Sequence, residues 1–338
     1  MTLSSPSTTS RVSAADPYIK AASFALLAVA IVAVPQIVPS SYAMQLINQA
    51  LIYSVIVVGL NFITGYTGQI NFGQAAFFGI GAYTTALMTT TGYSFWIALP
   101  CSALMSTACS IVLGLPTLRL RTYYLAMATI GFGEIVSLIL IHWQDVTNGT
   151  SGIRGIPPIH IFGFPLTKHA HYFFFLVATL IVLVIVATRI RHSRFGRDMI
   201  ATKDSEIAAE LCGVNTFRSK IIALVLAAFY AGLAGAIQAS YSSYVSPDQF
   251  YGQQAVLFFT MLIVGGTGSV AGAIIGAFVL TFLPEFLRFM QHWYMVLYGL
   301  GIIVSIIFMP RGLVGIAEDV FSRIQKHFTT VTEGPLDA

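Results

Sequence analysis

Glu134 is an acidic residue that lies deep in a long apolar stretch, within Gly-Phe-Gly-Glu-Ile-Val at residues 131–136. A carboxylate at the centre of a bilayer costs about 2.5–3.5 kcal/mol on insertion scales. Such a group should therefore face a cavity, a partner or the subunit interface. We predict that Glu134 is a pathway residue of a transport protein, with a buried structural pair or a protonated carboxyl as the alternative.

A second polar cluster occupies residues 65–74, Gly-Tyr-Thr-Gly-Gln-Ile-Asn-Phe-Gly-Gln, beside an apolar run. In lipid, unpaired backbone N–H and C=O groups cost several kcal/mol each, so irregular backbone must face protein or a water-filled cavity. The glycines permit a broken helix, which is the best sequence indication of a transport site. We predict that Gln69, Asn71 and Gln74 line a pathway, and helix packing through small residues remains the alternative.

Residues 203–215, Lys-Asp-Ser-Glu-Ile-Ala-Ala-Glu-Leu-Cys-Gly-Val-Asn, have the pattern of a short capped helix. Asp204 or Ser205 can accept hydrogen bonds from the N-terminal N–H groups. Gly213 can take the left-handed conformation that ends a helix. Because about two turns are marginal in isolation, we predict that this helix docks into a partner. An ordinary connecting loop whose positive charges fix the topology is the alternative.

Membrane spans are the elements that must position these residues. Charged residues are 9% and apolar types 56% of the 338 residues, whereas a soluble domain averages about 25% charged residues. The apolar residues form long blocks without alternation, and a bilayer core needs about 20 apolar residues per helix. We predict an all-α polytopic membrane protein with about ten transmembrane helices, some of them broken at Gly-rich segments. The predicted spans are about 20–38, 43–63, 71–90, 95–115, 122–141, 171–188, 219–240, 254–264, 270–288 and 293–309.

Two spans in this set carry an open alternative. The eighth is too short to cross as one straight helix, so it is either longer or broken near Gly265. The first apolar run, which ends near Val38, is taken as an uncleaved span, with a cleaved signal peptide as the alternative.

The basic residues give the ten-span arrangement a direction. With both termini cytoplasmic, 14 of the 17 Lys and Arg residues fall inside, and only Arg154, Lys168 and Arg288 fall outside, as the positive-inside rule requires. We expect a disordered N-terminal tail, a permease domain with one long loop on each side, and a cytoplasmic tail. Their ranges are 1–19 for the first tail, 20–315 for the domain, 142–170 for the periplasmic loop, 189–218 for the cytoplasmic coupling loop and 316–338 for the second tail.

Several landmarks follow one another in a specific order between about residues 45 and 316. They are the stretch 65–74, Leu118-Arg-Leu-Arg121, Gly131-Phe-Gly-Glu134, Thr147-Asn-Gly-Thr-Ser-Gly152, Ser193-Arg-Phe-Gly-Arg197, Gly265-Gly-Thr-Gly-Ser269 and Met309-Pro-Arg-Gly-Leu313. Together they resemble the permeases of branched-chain amino-acid ABC transporters, the LivM-type subunit in particular. Glu206-Ile-Ala208-Ala209 and Gly213 are similar to the Glu-Ala-Ala-x3-Gly coupling segment of ABC-importer permeases, with a departure of one residue.

The resemblance implies a subunit that forms half of a translocation pathway for branched-chain or other hydrophobic amino acids. It implies a second related permease, two cytoplasmic ATP-binding subunits and a periplasmic substrate-binding protein as partners, in a bacterial inner membrane that the chain crosses many times. Glu206, Ala208, Ala209 and Gly213 are then the ATPase-coupling residues. The chain has no Gly-x4-Gly-Lys-[Ser/Thr] phosphate loop, so we expect ATP hydrolysis on other chains.

Other functions remain open. The same family includes permeases for urea or short amides. A stand-alone secondary transporter would need ion-coupling carboxylates near the midplane, where only Glu134 qualifies. A membrane-embedded enzyme would need clustered His, Asp or Glu residues, and none stands out. We expect no enzyme activity, no cofactor, no nucleic-acid partner and no metal site, and the His169-x-His171 pair is a weak metal pattern.

Overall fold

The computed structural model describes most of the predicted membrane region. Contacts divide the chain into residues 1–44 and residues 45–338. The predicted first and tenth spans and both predicted tails lie almost wholly outside the described residues. These residues are 40–118, 122–161 and 163–288, with short pieces at 35–36, 299–300, 303 and 312–315.

The described part is mainly helical. Its main helices are α1 (Ser41–Leu60), which continues as a π-helical turn (Asn61–Tyr66), α2 (Gln74–Thr90), α3 (Phe95–Thr117), α4 (Thr122–His142), α5 (His169–His192), α6 (Arg194–Asp204), α7 (Glu206–Leu211), α8 (Thr216–Ser242), α9 (Gly252–Gly265) and α10 (Val270–Leu287). Single turns form at Gln144–Thr147, Gly149–Ser151 and Pro247–Phe250. Two short antiparallel pairs join β1 (Ile153–Arg154) to β4 (Tyr244–Val245) and β2 (His160–Ile161) to β3 (Phe164–Pro165).

Six described helices are long and apolar enough to cross a bilayer. They are α1 with its π-helical turn, α3, α4 from Tyr124 onward, α5, α8 and α10. This confirms a helical, multi-span membrane protein. With 17 and 14 residues, α2 and α9 are shorter than the 20 or so residues that a full crossing needs. The second to ninth predicted spans each correspond to one helix, and the total of ten remains a prediction.

Both short helices adjoin Gly-rich breaks. The segment 67–73 before α2 is irregular, and Gly68 has a φ of +70°. At the other break α9 ends at Gly265, where the eighth span was predicted either to continue or to break. Gly266 and Gly268 follow with φ values of +120° and +89°, a region that side chains with a Cβ rarely enter. Of the two alternatives left open for the eighth span, the structure therefore shows a helix that ends at a break at Gly265.

The centre of the bundle is formed by α8 packed against α2 and α3. Glycines allow the backbones to approach closely, because a Cβ on Gly81 would lie 2.5 Å from the Gly232 carbonyl oxygen, and one on Gly235 would overlap the Phe78 carbonyl oxygen. Small residues at helix contacts are the usual means of helix association in membranes, where water does not drive burial.

The α9–α10 pair uses the same device. A Cβ on Gly276 would overlap the Met261 carbonyl oxygen, and one on Gly272 would lie 2.7 Å from the Gly265 carbonyl oxygen. The Gly272-x3-Gly276 spacing, which is typical of helix contacts in membranes, therefore marks the contact between α9 and α10.

Long-range hydrogen bonds define two ends of the bundle. At the Lys203 end, the Lys203 ammonium donates to the Gly65 carbonyl over 2.8 Å. At the Tyr241 end, the Asn48 amide donates to the His169 carbonyl over 2.9 Å, and His169 Nδ1 lies 3.1 Å from the Tyr241 hydroxyl. In the predicted topology the residues of each group lie on the same side of the membrane. The structure places each group at one end of the bundle, in agreement with that topology.

The Gly81–Gly232 contact makes a specific prediction about stability. We expect Gly81→Val to lower the unfolding temperature of the purified protein, because overpacking of a tight contact costs about 1–3 kcal/mol. The matched control is Gly131→Val, since a Cβ at Gly131 meets nothing within 4 Å. Thermal unfolding in detergent measures both variants. Equal losses would show that the α2–α8 contact is not close-packed.

Candidate functional site

The irregular segment 67–73 obtains hydrogen-bond partners from within the chain. The Thr67 hydroxyl donates to the Ile63 carbonyl over 2.6 Å, and the Gln69 backbone N–H donates to the same carbonyl over 3.2 Å. Farther along, the Phe72 N–H donates to the Thr129 hydroxyl of α4 over 3.1 Å. The break before α2 is thus a fixed structure that α4 helps to hold.

The three polar residues predicted for a pathway are buried in the single chain. Gln69, Asn71 and Gln74 are each at most 5% exposed. The Asn71 side-chain oxygen accepts from the Gly73 N–H over 2.8 Å. Gln74 Nε2 donates to the Ala227 carbonyl over 3.0 Å and to the Ile56 carbonyl over 3.3 Å, which ties α2 to α8 and α1.

Two atoms of this cluster have no hydrogen-bond partner among the described residues, Asn71 Nδ2 and Gln74 Oε1. A buried polar group without a partner costs about 1–3 kcal/mol. The cluster therefore fixes the backbone while it retains unused hydrogen-bonding capacity inside the bundle.

Asn61 and Lys203 belong to this site, although the sequence alone did not single them out. Asn61 Oδ1 accepts from the Gly268 N–H over 2.8 Å, so it joins the two Gly-rich breaks. Lys203 holds the Gly65 carbonyl. The sequence contained two features that could have identified them. Asn61 is an amide at the end of an apolar run, and Lys203 is one of the basic residues that were counted for the topology.

Glu134 takes a different position from the other pathway candidates. It is exposed in the single chain, near the middle of α4. One carboxylate oxygen lies 3.2 Å from the point that a Cβ on Gly252 would occupy, at the N-terminus of α9. Helix N-termini favour negative charge. No described Lys or Arg forms a salt bridge with Glu134, so its charge is not neutralised by a basic residue in the described part.

Other acidic and phenolic groups lie beside Glu134. Tyr251, which precedes α9, donates its hydroxyl to Asp248, and this hydrogen bond raises the pKa of the Tyr251 hydroxyl. The negative charge of Glu134 acts in the same direction. The start of α9 is therefore an electronegative rim in which neither carboxylate is paired with a described cation.

The predicted coupling helix forms as α7. Ser205 is its N-cap, and the Ser205 hydroxyl accepts from the Ala208 N–H over 3.3 Å. Gly213 follows the helix with a φ of +82°. The Glu206 carboxylate pairs with the Lys220 ammonium at 2.5 Å, where the Lys220 side chain is only 6% exposed. Both predicted ends of the helix are therefore present, and an ion pair fixes α7 to the start of α8.

The two faces of α7 differ in what they contact. Ala209 is 4% exposed, so this side of α7 packs against the rest of the chain. Ala208 lies on the open side. Ile207 and Leu211 are 75% and 84% exposed, respectively. The single chain therefore presents two large apolar side chains on a short, anchored helix.

Residues 42–306 match the family model described as the branched-chain amino acid transport system / permease component. The chain belongs to this family. The permease is 33% identical over 287 residues to the high-affinity branched-chain amino acid transport system permease protein LivM of Escherichia coli K12, covering 78% of the chain and 68% of that protein.

Other relatives of this permease have similar descriptions. LivM of Salmonella typhimurium is 32% identical over 295 residues, 80% of the chain and 69% of that protein. LivH of Escherichia coli K12 is 24% identical over 288 residues, 78% of the chain and 91% of that protein. No solved structure matches the chain significantly. The relatives are transport permeases rather than enzymes, and the LivM-type resemblance is confirmed.

The Glu206–Lys220 pair predicts an asymmetry between its two single substitutions. We expect Glu206→Gln to destabilise the loop by about 1–3 kcal/mol, because it leaves a buried ammonium without its carboxylate. Lys220→Met should cost less, since the Glu206 side chain is 50% exposed and can be hydrated. Hydrogen exchange over residues 203–220 measures the effect. The double variant should recover most of the protection, and equal effects of the two single changes would contradict the buried-ammonium explanation.

Proposed function

We propose that this permease is the membrane-spanning subunit of an ABC importer and forms half of the pathway for branched-chain or other hydrophobic amino acids. The observation that carries the proposal is the match to LivM over four-fifths of the chain. In this proposal a second related permease completes the pathway, two cytoplasmic ATP-binding subunits drive it, and a periplasmic binding protein delivers substrate. The chain lies in a bacterial inner membrane with ten spans, both termini cytoplasmic and the loop and tail boundaries given above.

The exposed face of α7 supports the coupling part of the proposal. Ile207 and Leu211 are apolar and open, whereas isolated two-turn helices are marginal. Here Glu206, Ala209 and Gly213 hold the helix in place, and Ala208 leaves room beside the exposed pair. In this proposal an ATP-binding subunit receives Leu211 in an apolar pocket and moves α7 as a rigid body. The helices on either side of α7, α6 and α8, then move with it.

The position of Glu134 supports the pathway part. A carboxylate near the middle of a membrane-length helix is costly on a lipid-facing surface, so the face that carries it must border water or the second permease. Gln69, Asn71 and Gln74 contribute to the pathway indirectly, because their hydrogen bonds stabilise the irregular segment from which α2 starts. Discontinuous helices of this kind mark transport sites in membrane proteins.

Reconstitution tests the proposal as a whole. The purified permease is combined in proteoliposomes with its second permease, ATP-binding subunits and binding protein, and uptake of labelled leucine is followed with ATP, without ATP and without the ATP-binding subunits. We expect uptake only in the complete system with ATP. Uptake that persists without the ATP-binding subunits would establish a secondary transporter instead, and uptake of urea without leucine would establish the amide alternative.

The exposed apolar side chain of Leu211 on α7 predicts that one introduced negative charge prevents docking of the ATP-binding subunits. We expect Leu211→Asp to abolish stimulated ATP hydrolysis and co-purification of the ATP-binding subunits, because a carboxylate would be buried in an apolar contact. Leu211→Met, which keeps an apolar side chain of similar volume, is the matched control and should behave like the wild type. If the Asp variant assembles and stimulates ATP hydrolysis normally, α7 is only a connecting loop.

The carboxylate of Glu134 predicts a charge-dependent transport step. We expect Glu134→Gln to reduce leucine uptake by roughly tenfold or more, since a hydrogen bond to a charged group contributes about 1.5–3 kcal/mol. The control is Glu285→Gln, whose carboxylate lies 3.4 Å from Arg288 at the end of α10. Uptake is measured at matched expression. Normal uptake by the Glu134 variant would leave the carboxylate a structural role only.

A further inference from the structure

A small apolar cavity lies where the two short helices begin. Its volume is about 160 Å³. The walls come from the start of α2, the middle of α4 and the start of α9. Its lining side chains include Phe72, Ala75, Ile130, Phe250, Ala255 and Val256. Gly133 and Gly252 complete it, and neither contributes a side chain.

The cavity is suited to one aliphatic or small aromatic group. Apolar cavities of about 150 Å³ hold a benzene-sized molecule. Phe72 and Phe250 are held in place by ring contacts, Phe72 with Phe259 at 4.9 Å between centroids and Phe250 with Phe78 at 5.2 Å. The walls are thus formed in advance, which reduces the ordering cost of binding.

Groups suited to the ammonium and the carboxylate of an amino acid lie beside this cavity. Glu134 follows Gly133 on α4 and sits over Gly252 without a salt bridge to any described Lys or Arg. This carboxylate can accept hydrogen bonds from a protonated amino group. The N-terminus of α2 has no side-chain cap, so backbone N–H groups with partial positive charge lie beside the same cavity and suit a substrate carboxylate.

We propose that this cavity binds the apolar side chain of the transported amino acid, with Glu134 holding its ammonium group, so that the cavity walls make the permease itself selective for side-chain size. The inference rests on the proposed function and adds to it a site within this chain. Gly133 lines the cavity without a side chain, and a Cβ there would meet nothing within 4 Å, so a larger residue can be introduced at this wall without a clash.

The test compares Gly133→Val with Gly131→Val. Both glycines are on α4 and both have open space around a Cβ, but only Gly133 lines the cavity. ATP-driven uptake of alanine, valine and leucine is measured in the reconstituted complex with saturating binding protein. Each rate of the Gly133 variant is divided by the rate of the Gly131 variant for the same amino acid, which cancels the preference of the binding protein.

We expect the ratio to fall to roughly a tenth for leucine and to stay near one for alanine, because each excluded methylene loses its burial energy. A second variant, Ile130→Ala, enlarges the cavity and should raise phenylalanine uptake relative to leucine, which keeps the test decisive if Gly133→Val fails to assemble. Equal ratios for all three amino acids, together with unchanged selectivity in Ile130→Ala, would overturn the inference. A wild-type complex that carries no amino acid would overturn the proposed function, and the inference with it.

Discussion

Inside a bilayer each backbone N–H and C=O group must find its partner within the protein, and the two breaks before α2 and after α9 are where regular helix does not provide one. Side chains fill that role. Thr129 accepts from the backbone at Phe72, Asn61 accepts from the backbone at Gly268, and Lys203 donates to the backbone at Gly65. Because these partners come from α4, from the π-helical turn after α1 and from α6, the breaks can exist only when distant parts of the chain are packed together.

This requirement joins the proposed coupling helix to the membrane interior. Ser205, which follows α6, caps α7, and α6 carries Lys203 at its end. Lys203 in turn holds Gly65, beside the loop that contains Gly268. An unbroken series of hydrogen bonds and caps therefore runs from the exposed Leu211 side chain to the first break.

Local patterns predicted the parts of the structure that local physics controls. The short helix with its cap at Asp204 or Ser205 and its Gly213 end, and the membrane-length apolar helices, depend on propensity, length and φ preferences within a few residues. The burial of Ala209 was not predictable, since two neighbouring alanines look alike until the folded chain covers one of them. For the same reason the hydrogen-bond partners of Gln74, the carbonyls of Ile56 and Ala227, could not be predicted, since neither is a neighbour of Gln74 in the sequence.

The candidate site required tertiary information of a second kind. Composition cannot distinguish a face that meets lipid from one that borders a pathway, because both are apolar, and α4 carries exposed Met127, Ile130 and Ile135 around Glu134. What separates the two is the convergence of features that lipid does not favour: a carboxylate without a basic partner among the described residues, an uncapped helix N-terminus and an open glycine. Each has an ordinary explanation by itself. They meet around one cavity whose walls come from three helices, and a lipid-facing surface has no need of that arrangement.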